Sequence, residues 1–386
     1  MSDIIWGLTF DTKEDGWEAS RGFIKREIPM PVLDEKVNAG DAQSVILRMR
    51  YAGMCGTDRG IWNRQVFKDL IHSTLEKEGK TMRILGHEFL GEVVQMGSGV
   101  DEMRSGNIKV GSLVSGDSHI TCGQCYQCKI GQNNVCTNES ILGISTDGIF
   151  AQHVKVPARN LFAINTQSIR PEIGAIMDPF GNAVHAVSKF SAKGQTVAVF
   201  GTGPIGLFAV ALLKNYGASK VIAIDVNESN LAMAKDMGAD DIILLDKENN
   251  DNTKLVESVK NLTGGVGVDV AMEMAGPLSS VLNCLAVTRR GGQVVLFGIK
   301  DGDFTIPKFS QIISKGLTLH GVIGRRIFET WQEAHDLLCD TSNGIQDNIW
   351  RVMLKEGKGA VIDFSGYNKE TFQKAMAEHP KLIFKF

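Results

Sequence analysis

The chain has 386 residues, which is long enough for two domains that each bury a core of their own. Its 41 basic side chains nearly balance 44 acidic ones, and a net charge of −3 gives no electrostatic reason to expect nucleic acid or an anionic membrane as a partner. The first residues carry acids early and lack a basic stretch followed by an apolar core, so they do not form a secretory signal. We therefore expect a cytoplasmic protein that binds neither nucleic acid nor membrane.

The first 178 residues contain short apolar runs, many glycines and few helical periods. An exception is the segment 63–84, in which four apolar residues recur at helical spacing and predict an amphipathic helix. Two interpretations stay open for it: a surface helix packed on its domain, or a cap near a substrate entrance. The four residues are Phe67, Leu70, Ile71 and Leu75.

Two short motifs in this part offer metal ligands of different chemistry. Cys55 lies in the sequence GMCGTD, and His87 and Glu88 lie in GHEF. Alone, a cysteine or a His-Glu pair is usually structural. Together they supply a thiolate, an imidazole and a carboxylate, which suits a zinc ion with an open position for water or substrate.

Four cysteines follow within one short loop, with the spacing C-x2-C-x2-C-x7-C. Four thiolates at this spacing are typical of a closed tetrahedral zinc site, which holds a loop and performs no chemistry. Some iron–sulfur sites have similar spacing, but a proline does not follow the fourth cysteine here. The cysteines are Cys122, Cys125, Cys128 and Cys136.

From Gln195 onward, apolar β-branched runs alternate with helical patterns such as Ile205–Tyr216 and Ser229–Met237. This alternation predicts parallel βαβ units in a doubly wound sheet. The uncharged stretch 194–213 is long enough by count to cross a bilayer. Its central glycines and proline instead favour a buried strand that turns into a helix. The predicted strands are 196–201, 220–225, 242–245, 268–273, 293–298 and 317–323.

The strand at 196–201 runs into a glycine-rich turn that opens the next helix. The turn has the G-x-G-x-x-G pattern of a dinucleotide-binding loop, and the second strand ends at Asp225. An acid at that strand end binds ribose hydroxyls and repels a 2′-phosphate, so we expect NAD rather than NADP. The alternative is a glycine turn in a domain without a nucleotide. The expected loop residues are Gly201, Gly203, Pro204, Ile205 and Gly206.

The tail after about residue 327 returns to the mixed pattern of the first part. We therefore predict a discontinuous domain, in which a zinc-binding catalytic part formed by 1–178 is completed by 328–386. Residues 179–327 would form the nucleotide-binding domain between them. The expected fold class is α/β, with a doubly wound parallel sheet in one domain and a mainly β second domain.

Taken together, GMCGTD, GHEFLGEVV, the four-cysteine lobe, GTGPIG and the Asp225 strand end resemble the zinc-containing medium-chain alcohol dehydrogenase family. The resemblance runs from about Lys36 to Glu333. Within the family, the segments 115–120, 177–185 and 324–331 are most similar to the L-threonine 3-dehydrogenase branch. The resemblance implies a Rossmann NAD domain and a GroES-like catalytic domain with a structural zinc lobe.

The same resemblance implies two zinc ions per chain, one catalytic and one structural, and a homo-oligomer, either dimer or tetramer. Cys55 and His87 would be catalytic ligands, with Glu88 a ligand or close alternate. Asp178 stands where the third ligand, or a carboxylate near it, is found. Thr57 would bind the substrate hydroxyl and begin the proton path. His119 would lie over the substrate, and Arg325 would contact the cofactor.

The sequence departs from the threonine dehydrogenase pattern on the substrate side. Gly60 occupies the position of a relay histidine, the 63–84 segment is longer than in the family, and the match is poor after about Thr341. The expected activity is the NAD-linked oxidation of a secondary alcohol on a small polar substrate. A sorbitol-like polyol or a hydroxy acid remains an alternative substrate. A non-catalytic NAD-binding regulatory protein is the alternative class, but it would lack the zinc ligands that are present here.

Overall fold

The structure, a computed structural model, describes residues 4–100, 108–246, 252–300 and 302–386. The chain divides into two compact units. The first comprises residues up to Pro179 together with Arg326–Thr341 and Leu354–Phe386, and the second comprises Phe180–Arg325 and Ser342–Met353. The sequence predicts that the whole tail belongs to the first domain, whereas the structure assigns Ser342–Met353 to the second unit.

Strands dominate the first unit and alternate with helices in the second. In chain order they are β1 (Ile4–Asp11), β2 (Ile24–Pro29), β3 (Ser44–Met54), β4 (Met82–Ile84), β5 (Glu88–Met96), β6 (Leu113–Gly116), β7 (His119–Ile120), β8 (Ser140–Ile141), β9 (His153–Pro157), β10 (Leu161–Ala163), β11 (Thr196–Phe200), β12 (Lys220–Asp225), β13 (Asp241–Leu244), β14 (Val268–Glu273), β15 (Thr288–Leu296), β16 (Thr318–Gly321), β17 (Val361–Asp363) and β18 (Leu382–Lys385).

The helices are short in the first part of the chain and longer after it. They are α1 (Gly56–Trp62), α2 (Lys68–Glu78), α3 (Tyr126–Lys129), α4 (Pro171–Gly174), α5 (Met177–Val187), α6 (Pro204–Asn215), α7 (Glu228–Asp236), α8 (Thr253–Leu262), α9 (Leu278–Val287), α10 (Ser310–Lys315), α11 (Glu329–Cys339), α12 (Ile345–Asn348) and α13 (Lys369–Glu378). A short π-helical turn, Ile349–Met353, follows α12.

The first unit is built on a mixed seven-stranded sheet with the order β10-β6-β5-β3-β18-β17, and β9 also pairs with β3. β3 lies inside this sheet, and its apolar residues, among them Val45, Leu47 and Met49, are buried. Two smaller sheets, β2-β1-β4 and the ribbon β7-β8, complete the unit. Buried aromatic rings pack beside this sheet, with the centroid of Trp62 5.0 Å from that of Phe23.

The second unit is a six-stranded parallel sheet with the order β13-β12-β11-β14-β15-β16. Numbered from β11, this is the 3-2-1-4-5-6 order of a doubly wound dinucleotide-binding fold. All but the first residue of β11 is buried, as expected for a central parallel strand. The order reverses between β11 and β14, so the carboxyl ends of these two strands border the crevice in which ligands bind.

The predicted elements of this unit agree with the structure to within a few residues, apart from an earlier start of the strand predicted at 293–298. The uncharged stretch 194–213 contains β11, the glycine turn and the greater part of α6. Within the described ranges, no helix has the length and apolar character required to span a bilayer. α2 occupies part of 63–84 as predicted, but its buried residues are Ile71 and Leu75, while Phe67 and Leu70 are exposed.

Candidate active site and metal centres

The ends of three paired strands meet at one place in the first unit. β3 and β5 are antiparallel with Gly53 opposite Glu88, so Cys55, just after β3, comes beside His87, just before β5. β18 is antiparallel to β3 with Leu382 opposite Met54, which brings Lys381 to the same edge. Residues far apart in sequence are thus gathered by strand register alone.

Cys55, His87 and Glu88 form a group that can hold a metal ion. Their ligand atoms all lie within 4.8 Å of one another. His87 is 5 % exposed and Glu88 is fully buried. Among the described residues, none makes a hydrogen bond with Glu88 Oε1 or His87 Nδ1. A buried polar atom without a partner is costly, and a cation bound by Glu88 Oε1 would remove that cost for this atom.

Asp58 adds a further buried carboxylate that sequence reasoning gave no role. Its Oδ2 accepts the Cys55 N–H at 2.9 Å, and its Oδ1 lies 3.5 Å from His87 Nδ1. Burial opposes protonation of His87, yet the Asp58 carboxylate and the Cys55 sulfur raise its pKa to about 10. Burial also raises the pKa of Asp58. Asp58 is thus the buried partner of the His87 ring, and the donor set of sulfur, nitrogen and oxygen in Cys55, His87 and Glu88 fits zinc.

Lys381 forms a fully buried ion pair with Glu88 through Nζ and Oε2. Its position depends on Arg59, whose guanidinium donates to the carbonyls of Met376 and His379 at 2.6 and 2.7 Å. Arg59 lies on α1, directly after Asp58. The helix that has Cys55 as its N-cap therefore also fixes the segment that contains Lys381.

Asp178 does not belong to the metal-competent group found within the described ranges. Its Oδ2 accepts the Ser118 N–H at 3.2 Å, and its negative charge raises the pKa of Asp58. Asp178 therefore lies near the three-residue group and is tied to the segment that contains His119. The ring of His119 contacts Glu139, with 2.7 Å between Nδ1 and Oε2.

Thr57 lies on α1 two residues after Cys55 and is half-buried. Gly60, one turn further on, has no room for a side chain, because a Cβ atom there would lie 2.6 Å from Cγ2 of Val66. Val66 belongs to the segment 63–84. That segment thus occupies the space beside Gly60.

The four-cysteine lobe forms a second metal-competent group. Cys122, Cys125, Cys128 and Cys136 present sulfur atoms within 4.8 Å of one another. Backbone N–H groups of Cys128 and Thr137 lower the pKa of Cys125 to about 5, while burial and the neighbouring thiols raise that of Cys128 to about 12. The four thiols cannot all ionise together without a compensating cation, and a divalent metal ion bound by thiolates supplies it.

In the second unit, the glycine turn joins β11 to α6. Gly201 has a φ of +87°, which only glycine adopts without strain, and a Cβ on Gly206 would overlap the carbonyl oxygen of Gly201. Gly203 caps α6, Pro204 begins the helix, and Ile205 follows in the first turn. A Cβ at Gly203 would meet no atom within 4 Å, so the backbone there is open to a ligand.

Asp225 ends β12 with its carboxylate oriented by neighbouring donors. Oδ2 accepts both the N–H and the hydroxyl of Thr202, at 2.6 and 2.9 Å, and Oδ1 accepts the N–H of Asn227 at 2.9 Å. Thr202 lies inside the glycine turn, so the turn and the strand end are locked together. Arg325 is buried and donates to Oδ1 of Asn182 at 3.1 Å.

Sequence reasoning missed Asp58, Lys381, Asp117, Trp331 and Glu139. Asp58 stands inside a quoted motif but carries no local sign of its contact with His87. Asp117 is buried, and its Oδ2 accepts the Trp331 Nε1–H at 2.9 Å across more than 200 residues. Contacts of such sequence separation leave no local pattern, so only the structure finds them.

Hydride transfer to a nicotinamide needs a dinucleotide-binding platform, and oxidation of an alcohol is often assisted by a metal ion. One unit carries the fold and loop of such a platform, and the other carries a metal-competent group of a cysteine, a histidine and a glutamate. These features define a metal-dependent dehydrogenase.

Comparison with known proteins gives the family. Residues 41–166 match the alcohol dehydrogenase GroES-like domain, and residues 204–340 match the zinc-binding dehydrogenase domain. The L-threonine 3-dehydrogenase of Bacillus subtilis strain 168 is 39% identical over 326 residues, which cover 84% of this chain and 86% of that protein. The chain belongs to the zinc-containing alcohol dehydrogenase family.

Solved structures share the fold along the whole chain. An alcohol dehydrogenase from E. coli CFT073, complexed with NADH, has a TM-score of 0.76 at 24% identity. A zinc-binding dehydrogenase from Sinorhizobium meliloti 1021, bound to NADP, has a TM-score of 0.77 at 25% identity. Each comparison covers 100% of both chains. Because one neighbour holds NADH and the other NADP, the fold alone does not select between the two cofactors.

The buried Lys381–Glu88 pair gives a first test. Changing Lys381 to Met leaves the Glu88 carboxylate buried without its cation, and breaking a buried pair in this way costs about 3–5 kcal/mol. We expect a lower thermal midpoint in differential scanning calorimetry. Lys374→Met, at an exposed position on α13, is the control and should leave the midpoint unchanged. Equal midpoints for the two variants would show that Glu88 is compensated by another group.

Proposed function

We propose that the chain is an NAD-linked dehydrogenase with a catalytic and a structural zinc ion, acting on the secondary alcohol of a small polar substrate of the L-threonine type. The observation that carries the proposal is the meeting of three strand ends that brings Cys55, His87 and Glu88 together with unpartnered buried ligand atoms. The name of the Bacillus subtilis relative supports L-threonine as the first substrate to test.

A bound zinc ion supplies Lewis acidity that lowers the pKa of a substrate hydroxyl, and a bound nicotinamide supplies the hydride acceptor. The protein's own residues hold and orient the reacting groups. Asp58 orients the His87 ring, and Lys381 balances the charge of Glu88. Thr57 would accept the hydrogen bond of the substrate hydroxyl and, on taking up that proton, release its own hydroxyl proton towards a ribose hydroxyl of a bound cofactor. Because Val66 fills the space beside Gly60, the proton does not leave through a side chain at that position.

Asp225 supports NAD over NADP. Its Oδ2 already accepts from both the N–H and the hydroxyl of Thr202, and its Oδ1 accepts from Asn227, so a remaining lone pair on Oδ1 is the acceptor for a hydroxyl of an adenine ribose. A phosphate on the ribose would meet this negative charge at close range. The proposed cofactor contacts are Gly201, Gly203, Pro204, Ile205, Gly206, Asp225 and Arg325.

An exposed apolar edge in the second unit supports a homo-oligomer. β16 is the outermost strand of the parallel sheet, and its Leu319 is exposed, as are Phe309 and Ile313 in and beside α10. Unpaired edge strands with apolar side chains are typical of surfaces that associate.

Substrate class is tested by following NAD reduction with L-threonine, 2,3-butanediol, sorbitol and a set of hydroxy acids. We expect L-threonine to have the highest kcat/KM, since the catalytic part is similar to that of the threonine dehydrogenase relative. A higher kcat/KM with sorbitol would move the assignment to the polyol class. The absence of reduction with every alcohol, in protein shown to contain zinc, would contradict the dehydrogenase function.

The structural zinc is tested with Cys125→Ser. Removing one of four thiolates should release about one zinc ion per chain and lower the thermal midpoint, because a structural metal contributes folding free energy. Metal analysis and calorimetry measure the two effects. Cys339→Ser, outside both metal-competent groups, is the control. A Cys125→Ser protein that keeps both zinc ions and its thermal midpoint would exclude the four-cysteine site.

Cofactor choice is tested with Asp225→Ser. The wild-type protein should bind NADH more tightly than NADPH, and the variant should lose most of that preference, since the charge that repels a 2′-phosphate is gone. Titration by nicotinamide fluorescence gives both affinities. Asp236→Ser, at an exposed position on α7, should keep the wild-type ratio. A wild-type protein that prefers NADPH would contradict the role given to Asp225.

A further inference from the structure

The cysteine lobe is an excursion from the two-stranded ribbon β7-β8. His119 pairs with Ile141 and Ile120 pairs with Ser140 in this ribbon. All four lobe cysteines lie between its two strands, from Cys122 to Cys136. The ribbon is therefore the base of the lobe, and both of its strands position the side chains at this base.

At this base, the ring of His119 contacts the carboxylate of Glu139. The Nδ1 and Oε2 atoms lie 2.7 Å apart, and the side chains are 19% and 26% exposed. Glu139 is the residue before β8 and lies three positions after Cys136. A pair this short and partly shielded from water fixes the direction of the imidazole ring.

The backbone of His119 is held independently of this pair. Its N–H donates to Oδ1 of Asp117 at 2.9 Å, and its carbonyl accepts from Nδ2 of Asn160 at 2.7 Å. Asp117 is itself fixed by Trp331. The preceding Ser118 N–H donates to Asp178, whose charge acts on Asp58 beside the metal-competent group. The backbone thus sets where His119 stands, and Glu139 sets where its ring points.

The chemistry of the pair follows from its geometry. An ionised carboxylate only accepts hydrogen bonds, so Nδ1 next to Glu139 carries the proton. In the neutral ring, Nε2 then presents a lone pair on the opposite edge of the imidazole. That edge accepts a hydrogen bond, and the carboxylate behind it makes the acceptor more negative. A cationic donor such as a substrate ammonium fits it better than a neutral hydroxyl.

We propose that Glu139 is a positioning and specificity residue, which holds His119 in its Nδ1-protonated form so that Nε2 accepts from the ammonium group of a 2-amino-3-hydroxy acid. This inference rests on the proposed function and on the place over the substrate that the family resemblance implies for His119. The proposal gives the cysteine lobe a part in substrate selection, because the segment that ends the lobe places Glu139 beside His119. A substrate with the same secondary alcohol but no ammonium gains little from the pair.

The test compares kcat/KM for L-threonine and 2,3-butanediol, which share a secondary alcohol next to a substituted carbon. Glu139→Gln keeps a hydrogen-bond acceptor but removes the charge. We expect its kcat/KM for L-threonine to fall roughly tenfold, mainly through KM, a change of about 1.4 kcal/mol. The value for 2,3-butanediol should change less than about twofold. Zinc content and thermal midpoint should remain those of the wild type.

Two controls separate this effect from a general loss of structure. Glu92, on β5, is 20% exposed and pairs with Arg48 and Arg50 of β3. Glu92→Gln therefore removes a carboxylate of similar exposure, and kcat/KM for both substrates should stay at the wild-type value. In a His119→Ala background, Glu139→Gln should have no further effect on L-threonine, because the carboxylate acts through the ring. A full additional loss in that background would overturn the proposal.

Other outcomes are equally distinct. If Glu139→Gln weakens both substrates equally and lowers the thermal midpoint, the pair only braces the lobe, and the proposal is wrong. If His119→Ala impairs L-threonine oxidation and Glu139→Gln does not, the role of His119 stands and that of Glu139 fails. Wild-type kcat/KM in His119→Ala would instead contradict the role of His119 in the proposed function.

A measurement without turnover completes the test. Long-range proton–nitrogen spectra of zinc-loaded, histidine-labelled protein report the tautomer of each of the eight histidines. The resonance lost in His119→Ala identifies His119. We expect its Nδ1 to be protonated in the wild type and the other tautomer to grow in Glu139→Ala. An Nε2-protonated ring in the wild type would overturn the proposal whatever the substrate is.

Discussion

The first unit depends on how buried charges are compensated at the place where three of its strands end. The carboxylates of Asp58 and Glu88 are buried there, and Asp178 adds its charge from nearby. Lys381 compensates Glu88 directly, and His87, whose pKa is raised to about 10, lies with its Nδ1 3.5 Å from Oδ1 of Asp58. Breaking a buried pair costs several kcal/mol, so these contacts help to hold the three strand ends together.

In the second unit, the carboxylate of Asp225 is stabilised by hydrogen bonds and not by an opposite charge. Asp225 already accepts hydrogen bonds from Thr202 and Asn227, so it needs no cation to be stable. Its orientation is fixed before a ligand arrives, which reduces the ordering cost of binding. The first unit thus compensates the Glu88 carboxylate with a lysine, whereas the second stabilises the Asp225 carboxylate with backbone and hydroxyl donors.

Much of this could be predicted from the sequence, because the signals are local. The strands and helices of the doubly wound sheet follow from β-branched runs and helical periods. The spacing of the four cysteines and the pattern of the glycine turn are recognisable directly in the sequence. The pairing of Cys55 with His87 and Glu88 was inferred from their chemistry and from resemblance, and the antiparallel register of β3 and β5 supplies the physical reason.

What could not be predicted depends on contacts between distant segments. Lys381 reaches Glu88 only because β18 inserts beside β3. The helical spacing of Phe67, Leu70, Ile71 and Leu75 predicts α2 but does not tell that only Ile71 and Leu75 are buried. The His119–Glu139 contact needs the ribbon pairing of two strands of two residues each, too short to leave a pattern in the sequence.

The place of β18 also has a consequence for the order in which the chain folds. β18 lies between β3 and β17 in the sheet, and its partner β3 precedes it by more than 300 residues. The stretch 180–325 is nearly all of the second unit and is complete while β18 is still to be synthesised. The first unit must keep a gap in its main sheet until the last strand arrives. The group of Cys55, His87 and Glu88 is then enclosed only after β18 has been synthesised, because Lys381, which pairs with Glu88, directly precedes that strand.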